Sequence, residues 1–392
     1  MSRVCGYFGR GAVLLVTVCL TTSWATAADT PHYLVTNDDF SANFTQNTVT
    51  FYMIGADGQL TLVKPVDAGV TGGLAGYFAA NRVIALNNGS NQCVFASDGA
   101  TGEVGGINVN TLQLSGHAKG SSDDTGLSNG IGLALNSQYL YASYTDSNKI
   151  GAFQILSGCG LSFVNDISVV GLQGGIVDGM AVHGNLLIVT YGDGSIESFN
   201  LTSGLPVSNG DKQNSTSSKG GSSYPSGIDI TQDGHFAIFG DTSTSTLIEV
   251  SDISSGKLTP TVVYKSPTGI NSSNIMLSPD ESLLYISNTQ GDEITAAFFD
   301  KTTGKLSKGC ISNYLKGYST AWSYLAGLAL ASTTGDGSGV YVAEFGSPSS
   351  IAEVQVSSSG GTCSMSEAFG SPVADPNSQA LLSIATFPPR AF

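Results

Sequence analysis

The residues most able to do chemistry in this sequence are carboxylates and amides that follow short apolar runs. Asp146, Asp193, Asp241 and Glu344 each end such a run, and Asn288 holds the matching place in another. Carboxylates that converge without basic partners repel one another, which raises the pKa of some of them or recruits a cation. Hard oxygen donors of this kind suit Ca²⁺ or Mg²⁺.

A second set of residues stands where the chain enters other apolar runs: Asn129, Asp178, Ser226, Asn274 and Tyr324. If both sets meet at one face of the fold, they predict a binding site. A general base that works near neutral pH is a histidine or a carboxylate of perturbed pKa, and the placement favours Asp178 and Glu344 as the catalytic residues. The predicted ligands of a divalent cation are Asp178, Asp193, Asp241 and Glu344. The alternative is that Asp and Asn end strands because they favour turns.

The elements that position these residues form a repeat, since similar strand and turn patterns recur at intervals of roughly 50 residues. The clearest unit runs from Ser273 through a short apolar strand, a Pro-Asp turn, a second strand, a loop and a third strand. We expect the second strands to begin near Tyr33, Val83, Tyr139, Leu186, Phe236, Leu283 and Val340. Seven such units predict an all-β fold, a seven-bladed β-propeller with four-stranded blades.

The two ends of the chain complement each other. The first unit starts directly at its second strand, residues 32–37, and the apolar segment 380–386 near the C-terminus can supply its missing first strand. We therefore expect the N- and C-terminal strands to share one blade and to close the ring, which leaves no open sheet edge.

Residues 1–27 have the pattern of a cleaved secretory leader: Arg3 and Arg10, a short apolar core, and an Ala-Thr-Ala site that ends at Ala27. The expected organisation is a leader over 1–27 and a single propeller domain over 28–392, secreted or periplasmic and monomeric. The formal net charge of −15 disfavours nucleic acid and anionic membranes as partners. No later segment is apolar enough for membrane insertion.

Four cysteines follow the leader: Cys93, Cys159, Cys310 and Cys363. An even number of cysteines in an exported chain suggests disulfides. Proximity in sequence favours Cys93–Cys159 and Cys310–Cys363, and four separate thiols in turns are the alternative.

The runs Leu283–Asn288 (Leu-Leu-Tyr-Ile-Ser-Asn) and Tyr33–Asn37 (Tyr-Leu-Val-Thr-Asn) resemble the YVTN-type propeller repeat. With the Thr-Gly-Lys-Leu turns, they make the chain similar to the seven-bladed lactonase family, which includes 6-phosphogluconolactonase-like proteins. The resemblance implies a lactone hydrolase, with activity attributed to His, Glu and Arg at the channel mouth. This sequence departs from that pattern, because Arg82 and Arg390 are its only arginines beyond the leader.

Two functions follow from these observations. The first is a secreted hydrolase in which a metal-activated or carboxylate-activated water attacks an unphosphorylated lactone, because a phosphorylated substrate needs several basic groups. The second is a non-catalytic exported propeller that holds a protein, glycan or carbohydrate-like partner through its loops, since propellers serve both roles.

Overall fold

A computed structural model of the chain describes residues 31–38, 47–68, 81–121, 130–215, 227–240, 247–266, 272–288, 293–312, 315, 324–330, 339–345, 349–378, 381 and 383–390. In this part of the chain, the strands form seven antiparallel sheets. Each sheet is a blade whose innermost strand, which we call the inner strand, borders a central channel. The inner strands contact one another in a closed ring.

The strands are numbered β1 to β30 in chain order. Blade 1 holds β1 (Tyr33–Asn37), β2 (Thr48–Ile54) and β3 (Leu60–Asp67); blade 2 holds β4 (Val83–Asn87), β5 (Gln92–Asp98), β6 (Glu103–Asn108) and β7 (Gln113–Lys119); blade 3 holds β8 (Ile131–Leu135), β9 (Tyr139–Tyr144), β10 (Lys149–Ile155) and β11 (Leu161–Ser168). A 3₁₀ turn, Ser157–Cys159, links β10 to β11.

The later blades repeat this order. Blade 4 holds β12 (Val177–His183), β13 (Leu186–Tyr191), β14 (Ser195–Asn200), β15 (Val207–Ser208) and β16 (Gln213–Asn214); blade 5 holds β17 (Gly227–Ile230), β18 (Phe236–Gly240), β19 (Leu247–Asp252) and β20 (Thr259–Lys265); blade 6 holds β21 (Ser272–Leu277), β22 (Leu283–Asn288), β23 (Ile294–Asp300) and β24 (Lys305–Ile311); blade 7 holds β25 (Tyr324–Leu330), β26 (Gly339–Phe345), β27 (Ser350–Ser359), β28 (Thr362–Glu367) and β29 (Val373–Ala374). The last strand, β30 (Ile384–Phe387), belongs to blade 1.

Side chains of the second strands pack on both sides of their blade. In β22, Leu284 and Ile286 pack into a cluster with blade 5, whereas Leu283 and Tyr285 pack into a cluster with blade 7. Alternate residues of a strand point to opposite faces, so a strand that is buried on both faces must be apolar throughout. This explains why the second strands are the strongest apolar runs in the sequence.

The ring closes as predicted. Strand β30 is the inner strand of blade 1 and pairs antiparallel with β1, from Tyr33 opposite Phe387 to Thr36 opposite Ile384. The chain ends therefore share one sheet, and the prediction of a seven-bladed, all-β propeller is confirmed.

The predicted start of one second strand was wrong. Val83 begins β4, which is the inner strand of blade 2, and the second strand is β5. The segments 83–86 and 93–96 are both apolar, and variable loop lengths let either fit the repeat. The second strand of this blade therefore ends at Asp98, and Asn87 ends the inner strand.

Both predicted disulfides are confirmed. Cys93 in β5 bonds Cys159 in the 3₁₀ turn and so joins blades 2 and 3, and Cys310 in β24 bonds Cys363 in β28 and so joins blades 6 and 7. Disulfides persist in oxidising compartments. They are consistent with an extracellular or periplasmic location.

Residues 31–392 form one compact unit. The predicted leader, residues 1–27, lies outside the described residues, and its cleavage stays a prediction. Within the described residues, no helical segment has the length and hydropathy of a membrane span.

Candidate functional site

The inner strands of blades 2, 3 and 4 bring an arginine, a glycine and an aspartate to one end of the channel. Arg82 directly precedes β4, Gly130 directly precedes β8, and Asp178 is the second residue of β12. We call the end where the inner strands begin the upper mouth. Arg82 and Asp178 are each only 1% exposed, so both charged groups are withdrawn from bulk water.

Gly130 makes room for the Arg82 side chain. A Cβ atom at residue 130 would lie 2.6 Å from Nη2 of Arg82, and the backbone there has a φ of +83°. The hydroxyl of Thr145 donates to the Gly130 carbonyl over 2.9 Å. The guanidinium therefore lies across the entry to the next blade, at a place where a side chain would crowd it and where the positive φ favours glycine.

The backbone of Arg82 is held by its neighbours in blades 1 and 2. Its carbonyl accepts hydrogen bonds from Nδ2 of Asn37 at 3.2 Å and from the Ser97 amide at 3.0 Å. Next to it, the Val83 amide donates to Oγ of Ser383 over 3.3 Å. The same Asn37 amide also donates to the Ser97 carbonyl over 2.9 Å. These hydrogen bonds hold the backbone of Arg82 in place.

Asp98 ends β5 and directly follows Ser97, whose amide donates to the Arg82 carbonyl. Its Oδ1 accepts a hydrogen bond from the Ala100 amide at 2.8 Å, and the residue is 1% exposed. The carboxylate therefore caps the turn that follows β5, in the same way that many Asp residues end strands.

Glu344 ends β26 in blade 7 and is buried. Two and four residues before it, Val342 and Val340 pack into the cluster between blades 6 and 7. Burial raises the pKa of Glu344 to about 7, and the negative charge of Glu367 adds to the rise, while a hydrogen bond from the Ser350 hydroxyl to Oε2 opposes it. The carboxyl is therefore partly protonated at neutral pH and can take up or release a proton there.

A second buried carboxyl lies at the ring closure. Asp38 follows β1 and accepts hydrogen bonds from the hydroxyls of Thr36 (2.7 Å), Thr48 (2.7 Å) and Thr50 (2.6 Å). Burial, and then the charge of Asp375, raise the pKa of Asp38 to about 8, because they outweigh the three hydroxyl donors. Asp38 therefore holds its proton at neutral pH.

Asp193 organises the loop that leads into β12. Its Oδ2 accepts hydrogen bonds from the amides of Gln173 (2.6 Å) and Gly175 (3.0 Å), and its Oδ1 accepts from the amide (3.0 Å) and hydroxyl (2.5 Å) of Ser195. Burial raises the pKa of Asp193, but these bonds outweigh it and the net shift is downward. Its oxygens are thus engaged in shaping the loop.

The other predicted binding residues are spread around the ring. Asp146 is exposed after β9, Asn274 is half-buried in β21, and the Asn288 amide is buried and donates to Oγ1 of Thr295 over 3.1 Å. Outside the described residues lie Asn129, Ser226 and Asp241, together with the side chain of Tyr324. The predicted set therefore does not form one compact cluster in the described part of the chain.

The predicted metal ligands do not fit a metal centre as far as the structure describes them. Asp178 lies on blade 4 and Glu344 on blade 7, and Asp193 already accepts four hydrogen bonds. No group of three or more His, Cys, Asp or Glu residues in the described ranges could hold a metal ion. With Asp241 outside those ranges, a Ca²⁺ or Mg²⁺ site stays a prediction.

Sequence reasoning missed Arg82 and Ser128. The signal for Arg82 was its rarity, because only one other arginine follows the leader. Residues 126–130 read Gly-Leu-Ser-Asn-Gly, the G-x-S-x-G pattern, with Ser128 two residues before Gly130. This run leads into strand β8 and not from a strand into a helix, so it lacks the context of a nucleophile elbow. Ser128 lies outside the described residues.

Below the upper mouth, the channel contains a cavity of about 680 Å³. It extends from Asn81 to the turns after the inner strands, at the end we call the lower mouth. There, Nε2 of His183 lies 2.9 Å from the Gln232 carbonyl and links blades 4 and 5. The volume is within the range of small-molecule sites, roughly 300–1,000 Å³.

Comparisons with known proteins agree with this architecture. The sequence matches the model of the family described as "Lactonase, 7-bladed beta-propeller" over residues 93–372. None of the curated proteins compared with the chain matches it.

Solved structures share the fold at low sequence identity. A candidate 6-phosphogluconolactonase from Bacteroides fragilis has a TM-score of 0.68 at 15% identity, over 92% of this chain and 99% of that one. A functionally unknown protein from Desulfotomaculum acetoxidans has a TM-score of 0.63 at 13% identity, over 90% and 98%. The periplasmic gluconolactonase of Pseudomonas aeruginosa has a TM-score of 0.55 at 16% identity, over 72% and 82%. With the family match spanning well over half of its length, the chain belongs to the seven-bladed β-propeller lactonase family.

Proposed function

We propose that this protein hydrolyses an unphosphorylated lactone at the upper mouth of its channel. The observation that carries the proposal is the placement of Arg82 and Asp178, two buried and oppositely charged residues at the entries to inner strands β4 and β12. Family membership supports the reaction class. One structural relative is named a gluconolactonase. That name describes the relative, and it makes lactone hydrolysis the first reaction to test on this protein.

In the proposed reaction, Asp178 acts as general base. It takes a proton from water while the water oxygen forms a bond to the lactone carbonyl carbon, and negative charge develops on the carbonyl oxygen. Arg82, fixed over Gly130, faces that charge and stabilises it, as a preorganised donor does in a site withdrawn from water. The ring C–O bond then breaks, and Asp178 returns the proton to the leaving oxygen, which yields an open hydroxy acid.

Glu344 is the second candidate for proton transfer. Its pKa of about 7 suits a group that gains and loses a proton near neutral pH. Its position on the second strand of blade 7 separates it in the ring from blades 2 to 4, so we assign the chemical step to Asp178 and test Glu344 separately.

Because the chain has few arginines, we expect its substrate to lack a phosphate group. A phosphate group is bound best by several cationic donors, and Arg82 and Arg390 are the only arginines beyond residue 27. Arg390 is already paired with Asp229. A neutral sugar lactone or another uncharged lactone therefore suits the mouth better than a phosphorylated one. The predicted leader would deliver the enzyme to a compartment in which its two disulfides form.

The test is hydrolysis of a panel of neutral lactones by the purified protein, with 6-phosphogluconolactone as the charged member. Each assay is run with and without EDTA and against a heat-inactivated sample. We expect turnover of neutral lactones that exceeds turnover of the phosphorylated one. Loss of turnover with EDTA would support the predicted divalent cation. Absence of turnover on every member would overturn the proposal and leave a non-catalytic propeller that binds a protein or glycan partner.

A further inference from the structure

The chain continues past its last strand and turns into the lower mouth of the channel. Pro388, Pro389 and Arg390 line the cavity beside the inner strands of blades 2 to 5. The segment leaves blade 1, yet the Arg390 side chain contacts blades 5 and 6. In the ring of seven blades, blade 5 lies across the channel from blade 1, and blade 6 is separated from blade 1 by blade 7. We call residues 388–390 the C-terminal strap.

Arg390 anchors the strap through a bidentate ion pair. Its Nη1 donates to Oδ2 of Asp229 over 2.9 Å, and its Nη2 donates to Oδ1 over 2.8 Å. The same two nitrogens donate to the carbonyls of Leu277 (2.9 Å) and Ile230 (3.0 Å). The planar guanidinium thus binds a carboxylate and one carbonyl from each of two neighbouring inner strands, a geometry that lysine cannot reproduce.

Two backbone amides hold the Asp229 carboxylate in place. Its Oδ1 accepts a hydrogen bond from the Ile230 amide at 2.8 Å, and its Oδ2 accepts one from the Leu277 amide at 2.7 Å. The side chains of Arg390 and Asp229 are 8% and 12% exposed. Removing either partner from such a pair leaves a buried charge without its counter-charge, which is strongly destabilising.

We infer that the C-terminal strap is a latch, a segment that holds the ring closed across the channel. The ion pair between Arg390 and Asp229 keeps the strap in place. The reason is the weakness of the closure it reinforces: β30 contributes only four paired residues to β1. No disulfide joins blade 1 to a neighbour among the described residues, since the two disulfides link blades 2 and 3 and blades 6 and 7. Short terminal strands fray unless they are held.

The latch is also connected to the upper mouth, because β30 lies between the strap and Ser383. At its upper end, the Ser383 carbonyl accepts a hydrogen bond from the Asn37 amide at 3.2 Å, and Oγ of Ser383 accepts from the Val83 amide at 3.3 Å. If the strap detaches, β30 is free to shift away from the residues that hold Arg82. The inference itself does not depend on the proposed hydrolysis, because ring closure is measured without a substrate.

The experiment is hydrogen exchange, read strand by strand, on the full chain and on Arg390→Ala. We expect the amides of β30 and β1 to exchange at least tenfold faster in the variant, with blades 3 and 4 changed less than twofold. Lys149→Ala is the matched control, because Lys149 pairs with Asp166 of the same blade, blade 3, over 3.2 Å. This control should leave β30 and β1 unchanged.

Two further variants keep the inference falsifiable if Arg390→Ala does not fold. Arg390→Lys retains the charge and loses the bidentate geometry, so it should raise exchange in β30 and β1 by a smaller factor. Asp229→Asn combined with Arg390→Gln removes both charges and should perturb exchange less than Asp229→Asn alone. Exchange in β30 and β1 that stays within twofold of wild type in Arg390→Lys, or that rises equally in all blades, would overturn the latch.

Discussion

The raised pKa of Glu344 has a direct consequence for stability. Burial raises that pKa from 4.5 to about 7, so the folded protein holds a proton that the unfolded chain releases. The stability contributed by this proton is complete below pH 4.5 and is lost as the pH rises through 7. In this window the free energy of unfolding should fall by about 1.4 kcal/mol per pH unit from this group, or ~3 kcal/mol in all.

Glu344→Gln tests this reasoning, because glutamine is neutral at every pH and has nearly the same shape. Urea unfolding measured from pH 4.5 to 7.5 should show a shallower pH dependence for the variant, and the variant should be the more stable protein at pH 7.5. Asp280→Asn is the control, because hydrogen bonds from Ser278 and Ser282 outweigh burial and lower the pKa of Asp280. Its titration therefore lies below this window. Identical slopes for wild type and Glu344→Gln would refute the assignment.

Three other perturbations have defined outcomes. Asp38→Asn should be more stable than wild type at pH 9 in thermal melts. The reason is that the pKa of Asp38 is raised to about 8, so its stabilising proton is lost as the pH rises through 8. A variant that is less stable than wild type at pH 9 would contradict this. Gly130→Ala should lower the free energy of unfolding by about 1 kcal/mol or more, because its Cβ would lie 2.6 Å from the Arg82 guanidinium; unchanged melting would count against that contact. Cys93→Ser with Cys159→Ser should lower it by about 2–5 kcal/mol in denaturant titrations, whereas a loss below 1 kcal/mol would argue against a structural role for this bond.

Much of the fold could be predicted from the sequence, because second strands such as β22 are apolar on both faces and recur regularly. The terminal segments could be paired because the first unit lacks an inner strand. The error at Val83 arose because an inner strand that packs between blades is also apolar, so composition cannot tell it from the second strand beside it.

The site was harder to predict than the fold. Strand ends in a propeller require turn residues, and Asp193 shows how a carboxylate at such a position is used by the backbone around it. Neither Arg82 nor Arg390 belongs to a sequence motif. Arg390 pairs with Asp229, which is on another blade and far away in sequence. Such contacts exist only once the ring has closed.

The measurement that tests the central claim most directly is the kinetics of Asp178→Asn on the best neutral lactone of the panel, beside Asp280→Asn as the control at an exposed position. General base catalysis contributes roughly 10²–10⁴-fold, so we predict that kcat falls at least 100-fold in Asp178→Asn with KM changed less than threefold, and that Asp280→Asn matches wild type. A kcat for Asp178→Asn within threefold of wild type, in a protein that melts at the wild-type temperature, would contradict catalysis at the upper mouth.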